Sequence, residues 1–318
     1  MLGVVSLAAC EMVADWPTKQ APRTSARPEN RPPQPAPKAP ETEPSTPGPS
    51  AASKALRAYY ARLQNDLLVR GLLRTDGGGP DTPYSDIDVI RNFERIAFYD
   101  EYARGGGLRR SDGTPGRLKR WVQPVRIGVE FGASVPAEQR REDSAEVARY
   151  AARLGRITGH PISAGASDPN FHVFIVSEDD RKTLKPRIEQ IVPGVNPAAL
   201  ALFDNLPRAI HCFVIAFSRT QGGYEYAQAI ALIRAEHPSL LRRSCIHEEI
   251  AQGLGLANDS PRARPSIFND DDEFALLTTH DEELLRLLYD PRLRPGMTLE
   301  EARPIFSGLA TRQIGQAL

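Results

Sequence analysis

The chain has 318 residues, with 40 Lys plus Arg against 40 Asp plus Glu, so it carries no net charge. That balance gives no basic footprint for a nucleic-acid partner. No run of 18 or more apolar residues occurs in the sequence, so no membrane-spanning helix is expected.

The opening residues, "MLGVVSLAAC", are apolar and end in L-A-A-C. They resemble a bacterial lipoprotein signal, and the resemblance implies cleavage before Cys10 and lipidation of that cysteine. Residues 17 to 50 then hold 11 of the 28 prolines, with few large apolar residues. Such a segment buries too little surface to fold and reads as an extended tether. The expected organisation is a signal remnant over 1–10, a disordered linker over 11–52, a helical extension over 53–117 and a main domain over 118–318. The last two, about 265 residues, are enough for a sizeable core. The expected location is the bacterial envelope, lipid-anchored and facing the periplasm.

With Cys10 lipidated, Cys212 and Cys245 remain. In an oxidising compartment a leftover pair is expected to bridge. Closing that ~34-residue loop contributes about 3–4 kcal/mol in the chain-entropy model.

Residues 53 to 73 carry apolar side chains at helical spacing, from Leu56 through Leu63 and Leu67 to Leu72. "SDIDVIRNFERIAFYDEYARGGG" starts like a strand and ends like a helix, and the pattern does not decide between them. "QPVRIGVEFG" (123–132) alternates as a strand. "PAEQRREDSAEVARYAARLGRITG" is a helix ending at Gly159. A second strand follows over 170–179, then a short helix in "DRKTLKPRIEQIV". "IHCFVIAFS" (210–218) is a near-continuous apolar run that reads as a buried strand, Tyr226 to Ile233 reads as another, and a helix is expected over 239–254. The order implies an α/β or α+β domain with a mixed sheet.

The last of these helices carries the chemistry. Ile246, Ile250 and Leu254 form a core stripe. Glu248 and Gln252, four apart, share another face, bordered by Glu249. Gly255 can turn the chain so that Asn258 returns toward that face. Glu248, Gln252 and Asn258 then form a three-ligand frame for a metal, with Glu249 as general base. One carboxylate and two amide oxygens suit Ca²⁺, Mg²⁺ or Mn²⁺ better than zinc, so the expected cofactor is at most a divalent cation. His247 points about 100° away from Glu248, toward Ala251, and reads as a partly exposed bystander. His172 and His211 read as structural histidines in strands. "NDDDE" (269–273) reads as a solvated loop, and "HDEE" (280–283) is explained by helix capping and dipole placement. No G-x-S-x-G elbow and no phosphate loop occurs.

The segments "SCIHEEIAQGLGLANDS" and "SIFNDDDEFALLTTHDEELLRLLYDPRLRPGM", with "RWVQPVRIGVEFG" before them, resemble a bacterial family of putative lipoproteins, domain-of-unknown-function family 2927. The same segments are similar in order to metzincin and matrixin proteases. In that frame H-E-x-x-H-x-x-G-x-x-H becomes E-E-x-x-Q-x-x-G-x-x-N, Ile267 takes the Met-turn position, and "LTTHDEELLRLLYD" (277–290) is the C-terminal helix, with Thr279 and Glu282 as its capping box. The resemblance implies a zincin-like α+β fold: a twisted mixed sheet, an active-site-type helix and a C-terminal helix. It implies either a pseudoprotease that adds a peptide or periplasmic protein, or a cell-wall component, as a strand at a sheet edge near "EYAQAIALIR", or a metal-dependent hydrolase using Glu249. A purely structural lipoprotein is the third reading.

Overall fold

A computed structural model describes residues 48–100, 111–204 and 206–315 of the chain. These belong to one compact unit, Thr46–Leu318. Cys10 and most of the proline-rich segment lie outside the described residues. Among those described, no helix is long and apolar enough to cross a membrane.

Two helices come first. α1 (Ala51–Val69) starts just inside the stretch expected as linker, because the Ser50 hydroxyl accepts a hydrogen bond from the Ser53 amide and caps it. α2 (Asp86–Phe98) resolves the segment whose pattern was ambiguous. "SDIDVI" alternates only by coincidence: Ser85 and Asp88 form a capping box, and Val89, Phe93 and Ile96 repeat at helical spacing into the core. A short strand β1 (Arg120–Trp121), β2 (Val125–Phe131) and α3 (Ala137–Thr158) follow. Gly159 ends α3 at φ 64°, the left-handed cap that its position predicted. Next come β3 (Ile162–Ala164), β4 (Phe171–Val176), α4 (Leu184–Ile191), α5 (Pro197–Asp204), β5 (Cys212–Ser218), β6 (Glu225–Arg234), α6 (Ser239–Gly253), α7 (Thr279–Leu288) and α8 (Leu299–Gly315).

The sheet runs β3–β2–β4–β6–β5, with β1 pairing the start of β6. All pairs are parallel except β5 with β6. The fold is therefore mixed α and β around a mostly parallel sheet. All six residues of β4 are buried, as a central strand covered on both faces requires. Phe171, Val173 and Ile175 join Ala229, Ala231 and Ile233 in the main core beneath α2, α3, α6, α7 and α8. Phe174, Val176, Ile230 and Leu232 face the other way, into a smaller core with Leu184, Ile188 and Phe203 from α4 and α5. α1 packs Tyr60 and Leu67 against Leu241 and Ala275 in a third cluster.

Three expectations change. β6 is internal, held by β4 and β5, so the sheet edge is β5 and not the segment "EYAQAIALIR". β5 is half-buried at all seven residues rather than fully buried, because its apolar run lies at an edge. The capping box of α7 uses Thr278 and Asp281, one residue before the Thr279–Glu282 pair.

α6 approaches the sheet closely at Gly253. A Cβ there would press into the Phe171 ring and stand 3.2 Å from Val214 Cγ2. Gly253→Ala is expected to destabilise the fold by about 1–3 kcal/mol through overpacking, read as a lower urea midpoint at unchanged slope; an unchanged midpoint would show that α6 can retreat from the sheet.

Candidate functional site

α6 is placed by its neighbours before it can carry any chemistry. About three turns of α3 carry a buried stripe, Asp143, Glu146, Val147, Tyr150, Ala151 and Leu154, and its first two members are charged. Arg242 Nε donates to both Asp143 carboxylate oxygens at 2.7 and 2.8 Å. His247 stacks on Tyr150 with ring centroids 4.0 Å apart, and the Tyr150 hydroxyl donates to the His247 carbonyl at 2.9 Å. His247 is 4 % exposed, so it is a buried tie and not the partly exposed bystander expected. Its Nδ1 accepts from the Leu277 amide at 3.1 Å, which leaves Nε2–H to donate to Glu146 Oε1 at 2.9 Å. Glu146 is the anion this donor requires: the His247 hydrogen bond, with Arg149 beside it, lowers its pKa to about 2. Burial lowers the pKa of His247 and keeps the imidazole neutral.

The far end of α6 is fixed differently. Its last carbonyls have no partner within the helix. Trp121 Nε1–H donates to the Gly253 carbonyl and the Tyr289 hydroxyl to the Leu254 carbonyl, both at 2.9 Å. Gly255 then turns the chain at φ 128°, with the Lys119 carbonyl where a Cβ would be. Only glycine meets both conditions.

On the remaining face stand the expected site residues. Cys245 is bonded to Cys212 at the start of β5, with Cα atoms 5.9 Å apart, so the pair bridges as the cysteine count implied. Glu248 is half-buried and Glu249 is 2 % exposed. One oxygen from each lies within 4.8 Å of the other and of Cys212 Sγ. Both carboxylates are engaged by neighbouring groups. Beyond the turn, the residue that meets Gln252 is Asp259, whose Oδ1 accepts from Gln252 Nε2 at 3.4 Å. Asn258 points elsewhere: it is 3 % exposed and its amide donates to the Arg95 carbonyl of α2 at 3.0 Å. The arrangement thus pairs Glu248 with Glu249 and Gln252 with Asp259, and uses Asn258 to tie the turn to α2.

Asp281 shapes the floor beyond. It is fully buried and accepts from the Ser266 hydroxyl at 2.5 Å and from the Ile267 and Thr278 amides at 3.0 Å each. That anchors the loop that carries Ile267, itself 6 % exposed in the main core. Sequence reasoning missed Glu146, Asp143, Trp121 and Asp281. The signal for the first two was present, because both charges fall on the apolar stripe of α3 at helical spacing.

These ties predict the acid response. Unfolded, Glu146 titrates near 4.5; folded, near 2. Its contribution is complete above pH 4.5 and is lost as pH falls through 2, roughly 3 kcal/mol in all. Neutral His247 and His237, both with pKa lowered by burial, add a loss that begins as pH falls below 6.5, where the unfolded imidazoles take up protons. Denaturation across pH 7 to 2 is expected to show both phases, and Glu146→Gln to flatten the lower one; an unaltered lower phase would place that response elsewhere.

No curated protein and no solved structure matches the chain. One family does, over residues 86–308, a span that runs from the start of α2 into α8 and takes in the sheet, α6 and its glycine turn. With well over half its length matched, the chain belongs to the family described as "Protein of unknown function (DUF2927)".

Proposed function

We propose that the protein is a peptide-binding pseudoprotease on a zincin-like scaffold, held at a bacterial membrane by a lipid on Cys10. Its partner, a segment of a periplasmic protein or of a cell-wall component, adds as a strand along β5. The observation that carries the reading is the position of β5. It is the antiparallel edge strand, and among the described residues it pairs with no strand but β6. It starts at the disulfide that binds it to α6, beside Glu248 and Glu249. Edge strands offer unpaired backbone groups that an extended chain can satisfy. The scaffold is supported by the run of α6, glycine turn, the Asp281-anchored loop with buried Ile267, and α7. Gln252 and Asp259 bond to each other, and Asn258 holds α2, which favours binding over metal-assisted cleavage.

A second reading rests on the Glu248–Glu249 pair. Two carboxylates this close could hold a divalent cation, with Glu249 activating a water for hydrolysis.

Peptides selected from a displayed library against the purified protein are expected to slow amide exchange across Cys212–Ser218, and a proline placed centrally in such a peptide to abolish binding. Protection elsewhere, or no selected peptide at all, would sink the strand-addition reading. Cleavage of a bound peptide that disappears in Glu249→Gln would instead establish the hydrolase. Separately, the tether predicts that cells expressing the chain label it with an alkyne palmitate analogue and that Cys10→Ser removes the label; labelling that persists would disprove the anchor at Cys10.

A further inference from the structure

We propose that the Cys212–Cys245 disulfide is the oxidised, closed form of a metal site, and that its reduction opens a thiolate–carboxylate site for a borderline-soft divalent cation such as Zn²⁺. The donors are Cys212, Cys245, Glu248 and Glu249. Cys245, Glu248 and Glu249 occupy positions i, i+3 and i+4 of α6, so one helical face presents all three. The fourth, Cys212, comes from the start of β5. Cys212 Sγ and a carboxylate oxygen of each glutamate all lie within 4.8 Å of one another. Ligands on one tetrahedral zinc, each about 2.0–2.3 Å from it, stand about 3.3–3.8 Å apart. Closing to that range from within 4.8 Å takes rotamer shifts of at most about 1.5 Å in the two glutamates and Cys212. Cys245 Sγ, now bonded to Cys212 Sγ, must separate from it, which breaking the bond permits.

The chemistry explains why the site is gated. A disulfide sulfur is a poor ligand, whereas a thiolate is a strong one. A dithiol reductant attacks one sulfur, the S–S bond breaks through a mixed disulfide, and the reductant's second thiol completes the exchange. Two electrons and two protons enter the protein as two thiols, and the reductant leaves as its own disulfide. Metal binding then releases the two thiol protons. Two sulfurs and two carboxylate oxygens give a tetrahedral set suited to zinc, unlike the amide-rich frame of Glu248, Gln252 and Asn258. The cation displaces the groups that now engage the two glutamates. His237 supports the sulfur end: its Nδ1 stands 3.7 Å from Cys245 Sγ, it is 2 % exposed, and its edge packs on Tyr60 at 4.3 Å. An Nδ1–H there donates to the Cys245 thiolate and fixes its direction.

The inference is independent of strand addition, since it concerns reduced protein without peptide. The test titrates cobalt(II) into the full chain, oxidised or reduced with a phosphine that leaves no competing thiol. Reduced protein is expected to take up about one equivalent, with thiolate-to-cobalt charge-transfer bands and tetrahedral visible absorption, and oxidised protein to show neither. Cys212→Ser should remove about half of the charge-transfer intensity or more, since one thiolate of two remains. Glu248→Gln with Glu249→Gln should weaken binding by roughly tenfold or more while both sulfurs remain. Near-ultraviolet circular dichroism follows the fold throughout. Absent charge-transfer bands, equal affinity in the carboxylate double variant, or a fold lost on reduction that cobalt does not restore would each overturn the proposal.

Discussion

Arg242 and Asp143 face each other in the interior, each almost sealed from water, and one turn further along the same two helices His247 meets Glu146. Charges in such a place are tolerable only when paired and hydrogen-bonded, because an isolated one would cost several kcal/mol. The pairing therefore fixes more than energy. It sets the register and rotation of α6 against α3, since a slide of one residue would turn Arg242 and His247 away from their carboxylates. Everything on the opposite face of α6 inherits that setting, including where Cys245 meets Cys212 and where Glu248 and Glu249 stand.

The other end of the helix is held by aromatic donors rather than by charge. Trp121 and Tyr289 take the carbonyls of Gly253 and Leu254, and Gly253 lets the helix lie against Phe171 without a Cβ between them. With one end tied to α3 and the other to Trp121 of β1 and Tyr289 at the end of α7, α6 lies against β5 and β6. The disulfide then fixes the start of the edge strand to that helix. A partner adding to β5 would meet a strand whose position is set covalently at one end and by seven residues of antiparallel pairing along its length. Such preorganisation lowers the ordering cost of strand addition. The same covalent link makes the redox state of two cysteines a property of the site itself.

Much of this architecture was legible in local pattern. The alternation of Val125, Ile127 and Val129 predicts β2, the long amphipathic run ending at Gly159 predicts α3, and the pairing expected of Cys212 with Cys245 is the observed bridge. Where the pattern misled, the reason was physical. "SDIDVI" alternates over six residues, but the capping box of Ser85 and Asp88 overrides a period that short. "CFVIAFS" is as apolar as a central strand, yet it is half-buried at the edge, because an apolar run reports that a strand touches the core and not how many neighbours it has. His247 looked idle beside Glu248, and it became a buried tie only because α3 supplies Glu146 and Tyr150 from about a hundred residues away.

The division between the two levels follows from the range of the forces involved. Helix period, strand alternation, caps and glycine turns act over a few residues, so the amino-acid sequence alone determined the helix that bears Glu248, Glu249 and Gln252, the turn at Gly255 and the approximate order of strands. Which donor meets which acceptor after the turn depends on backbone far away in the chain. The carbonyl of Arg95 draws Asn258 to α2, and Asp259 rather than Asn258 comes back to Gln252. The choice of β5 as the edge rests likewise on β4 occupying the other side of β6. Those decisions belong to tertiary structure, because only packing brings together groups that the sequence holds apart.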